Sequence, residues 1–197
     1  MTRIALLRHL PTEWNAAGRL QGRTDVPLSA ASRTELRMLS LPAAWAGVPI
    51  LSSPLVRARE TAEGLAGGPV PTDARLIEMD FGRWEGVEGA ALLADPASPY
   101  RPVERWGRTF RPPGGESVAE LQARLLPLLA EIAAVGRPRI LVTHRGVMRA
   151  ILALAADWAY RGPEPFRIKR AALHPVRLAA DGRPVAFAPP VKLERAG

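Results

Sequence analysis

The chain contains no cysteine, which excludes disulfides and thiolate metal sites. It is nearly without lysine: among 27 Lys and Arg residues only Lys169 and Lys192 are lysine, so the formal charge of +8 is an arginine charge. No apolar run approaches the roughly 20 residues a membrane helix needs, so no membrane partner is expected. Met1-Thr2-Arg3 leads straight into an apolar segment without the pattern of a signal peptide, and a cytoplasmic location is expected. Internal repeats and blocks of like charge are also missing. The arginines are scattered and accompany no aromatic-plus-basic RNA-binding motif, so a small anionic partner is expected rather than nucleic acid.

At 197 residues, with an ordinary hydrophobic fraction of 47%, the chain suits one domain with a substantial core. Its pattern alternates strand and helix. Ile4-Ala5-Leu6-Leu7 and Ile140-Leu141-Val142 read as buried strands of a parallel sheet, the first ending at Arg8-His9 and the second at Thr143-His144-Arg145. Residues 10–28 read as a loop, 29–46 as a helix capped by Ser29, and 48–51 as a short strand. Ser53 is placed to cap a helix running to about Leu65, with Pro54 in its first turn. Residues 70–116 are the least regular third. Ser117-Val118-Ala119-Glu120 is a capping box opening a long helix, in which Pro127 predicts a kink or break. A strand over 139–143, a helix over 146–156 and β segments near 166–179 and 184–188 follow, the last two joined at Asp181-Gly182. Residues 190–197 read as a loose tail.

Ligand sites of open α/β sheets form beyond the carboxyl ends of the strands. If the two buried strands are parallel neighbours, His9 and His144 reach one edge, each beside an arginine. A lone histidine at a strand end is usually a satisfied polar residue, but a neighbouring cation lowers the imidazole pKa and keeps it neutral, as a nucleophile toward phosphorus must be. A metal site built from His9, His144, Glu13 and Glu78 is the competing reading; the flanking arginines, which repel cations, argue against it. Arg57 falls near a helix N-terminus, where it could grip phosphate. Glu78, Asp80 and Glu85 share a segment with Phe81 and Trp84, and any of the three could be a general acid; spacing does not choose among them.

Leu7-Arg8-His9-Leu10-Pro11-Thr12-Glu13-Trp14-Asn15 resembles the Arg-His-Gly signature of the histidine phosphatase superfamily, the phosphoglycerate mutase-like enzymes. Four further blocks resemble that family in its order: Ser52 to Ala62, Leu76 to Gly86, Gly114 to Ser117, and Val142 to Val147. The resemblance implies an α/β fold, a three-layer α/β/α sandwich around a mostly parallel sheet. It implies that His9 becomes phosphohistidine, that Arg8, Arg57 and His144 hold the phosphoryl group with Asn15 nearby, and that Gln21 and Gly22 belong to the substrate contacts. Glu78 falls at the proton donor, and neither metal nor cofactor is expected. One residue departs from the pattern: Leu10, followed by Pro11, stands where the family keeps a glycine that would permit positive φ or close backbone approach.

The implied activity is metal-independent hydrolysis of a small phosphorylated metabolite. The Asp80 to Gly86 wording resembles the phosphatase branches, among them α-ribazole phosphatases. Mutase-type phosphoryl transfer and a non-catalytic phosphate-binding module are the other readings. Specificity is expected in 95–113, where Arg101, Arg105, Trp106, Arg108, Phe110 and Arg111 could meet a second anion or a ring. The protein is expected to act as a monomer or homodimer.

Overall fold

A computed structural model describes residues 1–195. The chain runs β1 (Thr2–Arg8), α1 (Glu13–Ala16), α2 (Ala30–Leu36), β2 (Leu39–Ser40), β3 (Ile50–Ser52), α3 (Val56–Ala66), α4 (Gly89–Ala94), α5 (Val118–Val135), β4 (Arg139–Thr143), α6 (Arg145–Ala155), β5 (Ala172–Leu178), β6 (Pro184–Phe187), β7 (Val191–Lys192) and β8 (Glu194–Arg195). The main sheet has the order β3-β4-β1-β5-β6, with β7 also on β5, while β2 and β8 form a separate pair. β3, β4 and β1 are mutually parallel; β5 runs against β1, and β6 and β7 run against β5. Only β5 therefore opposes the common direction, and the sheet is mostly parallel, as the family resemblance implied.

Side-chain alternation explains the layers. Ile4, Leu6, Leu141, Val176 and Leu178 join one core with α5 and α6, through Leu125, Leu129, Val147 and Ile151. Ala5, Leu7, Ile140, Val142 and Leu173 join another with α2 and α3, through Leu36, Ala58 and Ala62. Successive strand residues point to opposite faces, so continuous apolar strands must be covered on both. The result is helix, sheet, helix.

Four expectations are corrected. The helix expected over 29–46 ends at Leu36, because Pro42 disfavours helical backbone at Leu41 and removes a donor; Leu39–Ser40 instead pairs with β8. Ser29 does cap α2, accepting from Ser32 N. Ser53 does not cap α3, which begins at Val56; the Val56 N–H donates to Asp25 Oδ1 at 2.8 Å instead. Pro127 neither ends nor divides α5: it lies on the exposed face with Ala123, whose freed carbonyl can meet water. The loose tail is replaced over 191–195 by β7 and β8 with Leu193 buried between them; its last two positions lie outside the described residues. The capping box at Ser117 and Glu120 is present as expected.

Candidate active site

Parallel pairing builds the site. β1 and β4 align Arg8 with Thr143, and the ladder continues as His9 N donates to Thr143 O at 2.9 Å. On the other side of β4, Ser53 N donates to Val142 O at 2.9 Å. His9, His144 and Ser53 thus leave three adjacent strands at one carboxyl edge. Neighbouring strands lie about 4.8 Å apart; the His9 and His144 rings accordingly meet at 5.2 Å between centroids, tilted by 55°.

His9 Nδ1 lies 2.6 Å from the Leu10 carbonyl oxygen. A carbonyl only accepts, so Nδ1 is assigned the proton and Nε2 keeps its lone pair. Burial holds the His9 pKa well below 6.5, with Arg57 and then Arg8 pressing the same way. The site therefore presents a neutral imidazole with a fixed tautomer. Leu10 needs no glycine to supply that carbonyl: among the described non-glycine residues, positive φ is confined to Asp157, Tyr160 and Ala171. Its side chain fills the α2/α3 core, and its N–H donates to Thr61 Oγ1 at 3.1 Å. The loop keeps its geometry with leucine because the side chain points into a core, away from any anion.

His144 Nε2 lies 2.7 Å from Ser53 Oγ, and burial, then Arg57 and His9, hold its pKa well below 6.5. Arg57 is fully buried on α3; Nη1 donates to Thr24 O at 2.9 Å and Nη2 to Gly22 O at 2.6 Å. The loop holding it is clamped by Glu85, which accepts from Arg23 N at 2.7 Å and Thr24 N at 2.8 Å, and from the Thr24 hydroxyl. Glu85, one of three acids that spacing left open, is thus a clamp. A Cβ at Gly22 would come within 2.1 Å of Glu85 Oε1 and 2.7 Å of Met79 O, so this loop packs only with glycine. The structure gives Gly22 a positioning part in the site: its carbonyl accepts from Arg57 Nη2.

Glu78 is buried, its carboxylate accepting from Met79 N at 2.8 Å, Gly146 N at 2.9 Å and Val147 N at 3.2 Å. The last two are free donors of the first turn of α6, so the helix start fixes the position of the Glu78 carboxyl group. Arg124 of α5 holds the same segment, donating to Ile77 O at 2.7 Å and Glu78 O at 3.2 Å while pairing with Glu116 at 2.8 Å. Asp80 faces elsewhere, accepting from Gly82 N at 2.8 Å and lying 3.4 Å from Arg23. Arg8 is lowered to about 9 by burial, followed by the like charges of Arg170 and Arg145.

Arg8, His9, Asn15, Gln21 and Glu78 line one cavity of about 400 Å³. Asn15 Oδ1 accepts from Thr12 N at 3.2 Å, and its amide meets Gln21 Oε1 at 3.3 Å. Arg57 and His144 are fully buried, and the His144 ring packs against that of His9. Among the described residues, six buried side-chain polar atoms lack a partner; four of them are Arg8 Nε, Gln21 Nε2, Arg57 Nε and His144 Nδ1. Buried donors are normally satisfied. Four unsatisfied nitrogens on the residues of one site fit an anion that accepts from them. No group of three or more His, Cys, Asp or Glu side chains that could hold a metal occurs among the described residues, and Glu13 is exposed on α1.

The expected specificity loop contributes differently than its arginines implied. From 95–113 the cavity takes Tyr100, Val103 and Trp106, whereas Arg101 sits over the Phe110 ring at 4.3 Å and Arg111 pairs with Glu120. Besides Arg8, the arginines lining the cavity are Arg19, Arg145, Arg149 and Arg170. Ser53, Thr61, Glu85 and Arg124 were not assigned these positioning roles from sequence; each acts by a contact across the fold that local pattern does not encode.

Residues 4–187 match the family model described as histidine phosphatase superfamily, branch 1. The glucosyl-3-phosphoglycerate phosphatase of Mycobacterium tuberculosis is 36% identical over 179 residues, covering 81% of this chain and 80% of that protein. A probable phosphoglycerate mutase GpmB of Salmonella paratyphi B is 35% identical over 173 residues, covering 82% and 79%. The solved structure of a mycobacterial glucosyl-3-phosphoglycerate phosphatase with VO3 superposes with a TM-score of 0.76 at 33% identity, over 90% of this chain and 93% of that one. With its blocks in order, His9 and His144 in contact and its sheet of the same build, the chain belongs to branch 1 of the histidine phosphatase superfamily and is a phosphatase of that family.

Proposed function

We propose that this protein hydrolyses phosphomonoesters of small metabolites through a phosphohistidine on His9. The observation that carries this reading is the buried, neutral His9 imidazole, held by the Leu10 carbonyl with Nε2 free, among unpartnered buried nitrogens of Arg8, Arg57 and His144. In the first half-reaction Nε2 attacks phosphorus, the bond from phosphorus to the ester oxygen breaks, and protonated Glu78 delivers its proton to the departing alkoxide. In the second, the Glu78 carboxylate takes a proton from water, the resulting hydroxide attacks phosphorus, and the P–N bond breaks to return neutral His9. The arginines and His144 neutralise the equatorial oxygens, which is most of what phosphoryl transfer asks of a protein.

The names of the relatives favour glycerate phosphates over α-ribazole phosphate as substrates to try first. The Salmonella relative also keeps mutase-type transfer as a second reading. Incubation with 3-phosphoglycerate and a bisphosphoglycerate primer separates the two: hydrolysis yields free phosphate and no 2-phosphoglycerate. The test of the mechanism is trapping with a radiolabelled phosphomonoester. An acid-labile, alkali-stable phosphoprotein is expected in the parent and none in His9→Ala. A label that survives the substitution overturns the nucleophile.

A further inference from the structure

The tautomer of His9 depends on where the Leu10 carbonyl points, and Leu10 is held on every side. Its carbonyl oxygen lies 2.6 Å from His9 Nδ1, and its N–H donates to Thr61 Oγ1 at 3.1 Å. The residue before it is tied to β4, because His9 N donates to Thr143 O at 2.9 Å. The residue after it is Pro11, which confines Leu10 to extended backbone and so restricts the carbonyl side. What remains is the rotation of the His9–Leu10 peptide, and the Leu10 N–H fixes that. Its acceptor is therefore the last restraint on the carbonyl that meets the nucleophile.

Thr61 is fully buried in the middle of α3, where a β-branched hydroxyl residue is a modest helix former. Its hydroxyl donates to Arg57 O at 2.8 Å, one turn back on the same helix. A hydroxyl has one proton to give. With that proton on Arg57 O, the oxygen is left as an acceptor, and Leu10 N–H is its donor from 51 positions away. Three buried donors thus follow one another: His9 Nδ1 to Leu10 O, Leu10 N to Thr61 Oγ1, and Thr61 Oγ1 to Arg57 O. The series joins the attacking imidazole to the helix that carries Arg57. It leaves the Arg57 guanidinium untouched, since the carbonyls of Gly22 and Thr24 hold that group.

Resting on the hydrolase reading above, we propose that Thr61 is a positioning residue of the reaction: its hydroxyl holds Leu10 so that the Leu10 carbonyl keeps the proton on His9 Nδ1 and leaves Nε2 free to attack. Without the hydroxyl the buried Leu10 N–H has lost its acceptor, a state that proteins avoid by turning the peptide toward another. The carbonyl then moves off Nδ1. The neutral ring is released to its other tautomer, in which Nε2 carries the proton and cannot attack phosphorus.

Full-length protein labelled with 15N in its histidine rings tests this by NMR, because a protonated ring nitrogen couples to its hydrogen and a bare one does not. The chain has three histidines, and the His9 signals are those that vanish in His9→Ala. The parent is expected to show His9 with the proton on Nδ1 alone. Thr61→Val keeps the shape and removes the hydroxyl; in it a share of His9 protonated at Nε2 should appear. With p-nitrophenyl phosphate its kcat should fall about 10-fold, the worth of one hydrogen bond, while KM and inhibition by inorganic phosphate stay near those of the parent. Thr61→Ser, which keeps the hydroxyl and loses the methyl group, should restore both the tautomer and kcat. Where Thr61→Val does not fold, Thr61→Ala against Thr61→Ser isolates the hydroxyl in the same way. A His9 tautomer and kcat unchanged on loss of the hydroxyl overturn the proposal, and so does equal loss in the serine variant, the outcome of a packing role. The two readings part cleanly: a parent that hydrolyses no phosphomonoester strikes at the hydrolase, whereas hydrolysis with a tautomer indifferent to Thr61 strikes only at the positioning role.

Discussion

His9 shows how little freedom the reacting atom has. One backbone carbonyl fixes its tautomer, and burial with two guanidiniums fixes its protonation. Glu78 is the acid that can reach the same cavity, so Glu78→Gln should lower kcat by roughly 10²–10⁴-fold, the usual worth of a general acid. An unchanged rate in steady-state assays would move that role to another group. Leu10 yields a prediction of a different kind. Because its side chain fills a core, restoring the family's glycine should destabilise the fold by about 3 kcal/mol or more, through the cavity left behind and the freer backbone. Chemical denaturation of Leu10→Gly measures this; a midpoint equal to that of the parent would show that the leucine contributes no packing. Arg8-His9, His144, Arg57 and Glu78 were all legible as candidates from residue type and place. The partners that orient them, Ser53, Thr61 and Glu85, were not, since each bond spans at least 51 positions of chain.

At the scale of elements, periodicity served well where one force dominated. The strands at 2–8 and 139–143 are apolar on both faces and were placed within two residues of their bounds. The 29–46 helix failed because apolar spacing was read through Pro42, and the residues after Leu36 had a better partner in β8, which lies far along the chain. α5 shows what an element contributes to chemistry without lining the phosphoryl end. It is anchored by its capping box, and Arg124 reaches from it to hold the Glu78 segment by its carbonyls while answering Glu116. Arg124→Met should therefore cost about 3 kcal/mol, since it leaves the buried Glu116 short of a partner, and should lower kcat more than it raises KM because Glu78 loses its support. Thermal unfolding and steady-state kinetics on the same sample check both parts; loss of stability with kcat intact would confine Arg124 to a structural role.

For the whole molecule, three histidines buried in neutral form set the acid limit. Burial pushes His9, His144 and His174 below 6.5. Below that value the unfolded chain binds protons that the folded chain refuses, so stability falls as pH drops through 6.5 toward the depressed values. Each such histidine contributes a slope of at most about 1.4 kcal/mol per pH unit. Denaturation midpoints should decline from pH 7 to pH 5, and less steeply in His174→Gln; equal slopes in the two proteins would contradict a buried neutral His174. The sequence by itself determined the class of fold and the chemical kind of the site, because apolar run length, strand-end histidines and arginine-rich composition are local properties written in consecutive residues. Only tertiary structure decided which nitrogen of His9 is free, that Gly22 and Glu85 serve Arg57, and that the arginines lining the cavity come from outside residues 95–113. Those outcomes depend on distances between segments remote in the chain, which are set by how the two cores pack against the sheet.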